Sequence, residues 1–239
     1  MRRSLVTAVA AAAFVAPILA QSAPTTQPPA GPAPAGQQPA AASQAQPQRP
    51  PQPPLGPNEW AIDGSHSAAN FSVRHNVVST VRGTLGAISG KIEYDGKDVT
   101  SVKADVSIDM TKIDTQNERR DNHLRSPDFF DVANHPHLTF RSKRVETAGA
   151  GRFKLVGDLT IRGNTKEVVL DVDGPAPTVQ TAGRNGGVTL LTGASATTKI
   201  SRKEFGVLWN NMIEAMPVVG DEVNITIDLE LRRNAPVGK

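Results

Sequence analysis

Between Asp98 and Met110 the chain reads DVTSVKADVSIDM, and Val102, Ala104, Val106, Ile108 and Met110 alternate there with Lys103, Asp105, Ser107 and Asp109. A period of two sends successive side chains to opposite faces of a strand, so this stretch buries one face and wets the other. The same period returns along the chain. Ala69, Phe71, Val73 and His75 share a parity, as do Phe153, Leu155, Leu159 and Ile161 with Gly157 among them, then Val168, Leu170 and Val172, then Ile225, Ile227 and Leu229. In TVRGTLGAISGKIEYDG the parity of Val81 and Leu85 changes at Gly86 to that of Ile88, Ile92 and Tyr94, which predicts a bulge at Gly86. Further strands are predicted over 137–145 and 188–200, set off by the turn segments TAGAG and AGRNGG.

About eight half-buried antiparallel strands can form a sandwich or a closed up-and-down barrel. The inward candidates include the small residues Ala69, Gly90, Ala104, Gly157, Thr192, Ala194 and Ala196, and aromatics make up only 4% of the chain, which favours a barrel with an under-filled interior. Such an interior has room for one elongated ligand. Phe71, Val73, His75, Val106, Ile108, Leu138, Phe140 and Leu159 are the strand residues expected to face it.

Two stretches interrupt the alternation. In the first, TQNERRDNHLRSPDFFDVANHPHLTFRS from Thr115 to Ser142, Thr115 and Glu118 have the spacing of a capping box, so a short helix is predicted from there through Leu124. A second turn is predicted to start at Ser126 as N-cap with Pro127 at the first helical position, and His135-Pro136 ends the insert. Leu124, Phe129 and Phe130 are expected to plug or line the barrel end. The second interruption, ISRKEFGVLWNNMIEAMPVVG, carries Trp209 and is also predicted to hold short helical turns, over 201–216.

The run RRDNHLRSPDFFDVANHPHLTFRS, with GDLTIRGNTKEVVL at 157–170 and VGDEVNITID at 219–228, resembles the YceI-like family over residues 59–232. Family members are periplasmic, polyisoprenoid-binding proteins, so the resemblance implies an eight-stranded lipocalin-like barrel. The ligand it implies is a quinone, an isoprenyl phosphate or another long-chain amphiphile. Arg120, Asp121 and Arg125 match the family's R-D-x-H-L-R-S core, which implies a role in closing the barrel end.

The remaining segments have other compositions. Residues 1–20 place Arg2 and Arg3 before an apolar run ending in Ala20, the pattern of a cleavable secretory signal; the run is too short to span a bilayer, and Pro17 breaks it. Residues 21–57 hold twelve of the 19 prolines, with Ala, Gln and Gly, and read as a disordered tether. The barrel is expected over 58–233, with a tail at 234–239. The net charge of +3 comes from Arg2, Arg3 and Arg49, leaving 23 basic against 23 acidic residues from 58 onward, a balance that gives nucleic acid no electrostatic footprint. Without cysteine there is neither a disulfide nor a thiolate metal site.

Catalytic and metal signatures are weak. His135 and His137 flank a proline at a strand start, unlike a helical metal motif, and no acidic residue is placed as an evident third ligand. Gly193-Ala194-Ser195-Ala196 lacks the second glycine of a nucleophile elbow and lies within a strand. The expected protein is a non-enzymatic periplasmic carrier with no metal or cofactor beyond its isoprenoid or quinone-like lipid, in transient contact with membranes. The competing expectation is an enzyme acting on an apolar substrate through His66, His75 or the His135/His137 pair.

Overall fold

The computed structural model describes residues 55–149, 151–183, 187–210, 212–213 and 216–235. The predicted signal, all but the last three residues of the predicted tether and most of the tail lie outside the described residues. The strands are β1 (Glu59–Ile62), β2 (Ala68–His75), β3 (Ser79–Thr84), β4 (Ala87–Glu93), β5 (Lys103–Asp109), β6 (His137–Thr147) and β7 (Arg152–Ile161). They continue with β8 (Asn164–Asp173), β9 (Val179–Ala182), β10 (Val188–Ser201), β11 (Met212–Ile213), β12 (Met216–Pro217) and β13 (Val219–Asn234), and one helix, α1 (Glu118–Arg125), lies between β5 and β6.

Eight strands close a ring in the order β13, β1, β4, β5, β6, β7, β8, β10 and back to β13, every pair antiparallel. Closure leaves one inner face, where the alternating apolar residues meet. On it Val106 lies between Gly90 of β4 and Phe140 of β6, and Phe140 pairs in turn with Leu159 of β7. Gly157 is needed on this face because a Cβ there would fall 2.6 Å from Cζ of Phe140. Strand β13 is long enough to serve two partners on one edge: Ala61 and Ile62 of β1 pair with Arg232 and Leu231, while β2 pairs over Val219–Asp228. Strands β2 and β3 therefore form a wing on the ring.

Several expectations need correction. The residues 81–94, read as one strand with a bulge, are two strands with different partners: β3 pairs with β2, and β4 pairs with β1 and β5. Gly86, at φ +143°, is the break between them, where a Cβ would meet the Asp109 carbonyl oxygen at 2.1 Å. The strand β1 was not anticipated; its four residues are too few to show a period, yet its Trp60 is wholly buried, donates to the Tyr94 carbonyl and lies under the Arg233 guanidinium.

At the insert between β5 and β6, Thr115 is not the helix cap. Asn117 is, its side chain accepting from the Arg120 N–H at 3.0 Å. Thr115 is buried and spends its N–H (2.9 Å) and hydroxyl on the buried Asp121 carboxylate. Gln116, at φ 61°, turns the chain between the two. The expected second turn does start at Ser126, whose carbonyl accepts from the N–H groups of Phe129 (3.1 Å) and Asp131 (2.9 Å), but its side chain is not an N-cap: its N–H and hydroxyl both donate to the His123 carbonyl, at 3.1 and 2.7 Å, and so close α1. Among the described residues of the insert at 201–216, the helical part is the single 3-10 turn Arg202–Phe205, ended by Gly206 at φ 74°, and β11 and β12 pair further on. The α1 insert, the 3-10 turn and the β2–β3 tip all lie at the same end of the ring.

Candidate binding cavity

The inner face of the ring encloses a cavity of about 110 Å³. Along β5 and the residue before it, the cavity is lined by Val102, Ala104, Val106 and Ile108, a run of seven residues whose six rises of about 3.4 Å measure roughly 20 Å. The cavity is thus a narrow tunnel. It runs from Tyr94, Val102 and Pro175 at one end to Leu85, Ile108 and Leu138 near the α1 end. Ala104, Ala194 and Ala196 are where small side chains leave the space open, as the sequence suggested. Among its lining residues only Tyr94 and Thr198 carry a polar side-chain group. Burial pushes the Tyr94 phenol above its ordinary range, and Asp95 and Asp98 add to the shift.

A second cavity, of about 460 Å³, opens at the α1 end between the wing, α1 and the loop carrying Trp209. Phe71, Val73, Leu124, Phe129 and Trp209 form its apolar part, and Arg74, His75, Arg119, Arg120 and His123 its polar part. The His123 ring meets Phe129 and Trp209 edge-on, at 5.0 and 4.9 Å between centroids, and its Nε2 lies 2.9 Å from Asp128. Phe71 pairs across the sheet with Ile225, which lines the tunnel, so the mouth pocket abuts the tunnel at this ring.

Of the twelve residues expected to bind ligand, Val106, Ile108, Leu138, Phe140 and Leu159 line the tunnel. Phe71, Val73, His75, Leu124, Phe129 and Trp209 line the mouth pocket instead. Phe130 lines neither and packs half-buried against the core. The sequence reading passed over Arg74 and Arg119, and Phe153, Leu155 and Leu170 of the tunnel were not named as ligand residues although their parity placed them inward. It also missed Arg202, which is buried and donates to the carbonyls of Val207 (2.7 Å), Trp209 (2.8 Å), Gly220 (2.9 Å) and Val219 (3.3 Å) and to Asp221 (3.2 Å). Burial lowers its pKa, partly offset by Asp221. This guanidinium fixes the loop that carries Trp209. A charged residue in a polar stretch gives no sequence signal of such a role.

None of the five histidines lines the tunnel. His135 and His137 line neither cavity. His66, to which the argument from the His135/His137 spacing did not extend, has acidic neighbours. Asp63, His66 and Glu230 bring ligand atoms within 4.8 Å of one another at the opposite end of the barrel. Asp63 also faces Arg232 Nη1 at 3.4 Å, and its carboxyl is held below its usual range first by the Ser65 N–H, with Arg232 and His66 contributing.

Comparison with known proteins agrees with this architecture. The YceI-like domain family matches residues 60–231. A UPF0312 protein of Staphylococcus epidermidis is 38% identical over 156 residues, covering 65% of this chain and 86% of its own. A UPF0312 protein of Staphylococcus aureus is 34% identical, covering 72% and 95%. Among solved structures, the Campylobacter jejuni YceI protein is similar at a TM-score of 0.54 and 30% identity, covering 67% of this chain and 88% of its own. A polyisoprenoid binding domain from Saccharophagus degradans shares the fold at a TM-score of 0.52 and 16% identity, covering 74% and 98%.

Proposed function

This chain belongs to the YceI-like family, whose fold here forms a binding barrel, and we propose that it holds the tail of a long-chain isoprenoid or similar amphiphile in the tunnel and carries it through the periplasm. The observation that supports this reading is the tunnel itself: long, narrow, and apolar at every lining position but Tyr94 and Thr198. The Saccharophagus domain, described as polyisoprenoid-binding, has the same fold. A tail also suits the magnitudes. Ten buried methylenes contribute about 8 kcal/mol at ~0.8 each, against an association cost of about 4–15 kcal/mol, so a long tail is needed for a net gain. Because a bilayer is as apolar as the tunnel, most of that gain cancels when the lipid moves between them, which suits a carrier. Histidines confined outside the tunnel support binding over acid–base catalysis there.

The experiment is native mass spectrometry with lipid extraction on the protein purified from its own host. A co-purifying long-chain lipid is expected; protein that carries only polar small molecules, or none, would refute the reading. The proposal includes no resident metal. Arg232 already supplies a positive charge to Asp63, so zinc and chelator are each expected to leave the melting temperature unchanged. A saturable rise with one equivalent of zinc would contradict this.

A further inference from the structure

The tip between β2 and β3 holds two valines where water is. Val78 is 81% exposed and Val77 53% exposed, and Val77 and Asn76 both take positive φ, 61° and 51°. For a β-branched residue that conformation is a true outlier, at home in glycine or asparagine, and strain of this kind concentrates where function requires it. Leu208, 65% exposed, stands on the neighbouring loop. The two segments are tied together. Asn76 donates to the Val218 carbonyl at 2.8 Å, and Asn210 exchanges hydrogen bonds with Val219 at 2.8 and 3.0 Å. Arg202 clamps the Leu208 loop from beneath through the carbonyls of Val207 and Trp209.

The described lining of the mouth pocket carries three arginines and no carboxylate. Around the barrel's side, cations pair across strands with carboxylates, as in Lys103–Glu93 at 2.9 Å, Lys154–Asp171 at 2.9 Å and Arg141–Asp105 at 3.1 Å. Arg74, Arg119 and Arg120 in the mouth pocket have no such partner among the described residues. Arg74 donates to Thr80 and to the Val77 carbonyl, Arg120 donates to Thr115, and Arg119 makes no hydrogen bond to any described residue.

We propose that this end of the barrel docks on an anionic bilayer, seating Val77, Val78 and Leu208 in the interfacial layer with Arg74, Arg119 and Arg120 against lipid phosphates. Exposed aliphatic side chains beside a tryptophan and arginines that no described carboxylate pairs are what an interfacial surface requires. A protein partner or a second copy would be expected to bring carboxylates, and nothing about the apolar tip calls for them.

Vesicle flotation tests this, using vesicles of phosphatidylcholine alone or with phosphatidylglycerol and no isoprenoid, so that the outcome is independent of what fills the tunnel. Every variant keeps the N-terminus of the wild type, so residues before Leu55 cancel in the comparison. Wild type is expected to partition onto the phosphatidylglycerol vesicles and less onto the neutral ones. Val77→Asn with Val78→Ser is expected to lower that partition roughly tenfold while the melting temperature holds or rises. Arg119→Gln is expected to lower it about fivefold, the value of one surface cation. Equal partition onto both vesicles, or variants that float like wild type, would overturn the proposal. So would a wild-type dimer that the double variant makes monomeric with vesicle partition unchanged, which would assign the face to a second copy. If the double variant shows no melting transition, Leu208→Ser and Arg119→Gln decide the matter in the same assay.

Discussion

At the scale of single residues, Arg202 and Asp109 make the clearest claims. Five oxygens accept from the Arg202 guanidinium in a buried setting, and a lysine has neither the planar fork nor enough donors to serve them. Arg202→Lys should therefore lower stability by about 2–3 kcal/mol, measured by urea unfolding. An unchanged midpoint would mean that the loop is held by other means. Asp109 accepts from the Thr111 hydroxyl at 2.6 Å and N–H at 3.0 Å, and the hydroxyl is the main reason its carboxyl lies below the ordinary 3.8. A carboxyl with a depressed native pKa stabilises fully above its unfolded value, and that contribution is lost as pH falls through the lower native one. Asp109→Asn should accordingly flatten the loss of stability with acid below about pH 3.8, read from unfolding midpoints at stepped pH. An acid limb as steep as that of wild type would refute it.

Among the elements, β5 carries the tunnel and tests it. Val106 is half-buried between Gly90 and Phe140, with open space before it rather than a packed neighbour layer. Val106→Trp should fill the tunnel and abolish lipid binding, while ligand-free stability falls by less than the roughly 1–3 kcal/mol of overpacking in a filled core. A mutant that loses more than this yet still binds lipid would place the ligand elsewhere, and Lys103→Trp, outward on the same strand, is the control expected to change neither. Elements with a long period were legible in the sequence: β5, β7, β8 and β13 stand where the alternation puts them, and with them the tunnel residues. What was illegible was short or conditional. β1 has four residues, and Gly86 marks a change of partner that looks the same in sequence as a bulge. The Thr115–Glu118 spacing fits a capping box, but the buried Asp121 competes for the Thr115 hydroxyl, and that contest is decided only by tertiary burial.

For the molecule as a whole, the boundary of the barrel matters most. Glu59 accepts from the Gly56 N–H at 2.9 Å, and the Pro57 carbonyl accepts from Arg233 at 2.7 Å, so the folded unit begins slightly before the Asn58 start read from composition. A chain beginning at Leu55 should keep its melting temperature within a few degrees and its lipid. A large loss of either would show that earlier residues contribute to the barrel. Strand order has a further consequence for how the protein is made. The ring is closed by its last strand, β13, against its first, β1, and β13 also carries the β2–β3 wing. A partly synthesised chain therefore cannot close; β4 to β8 wait with an apolar face uncovered until nearly the last residue arrives. Protection of that open sheet during biogenesis, by a chaperone or by speed, is a demand that the topology itself imposes.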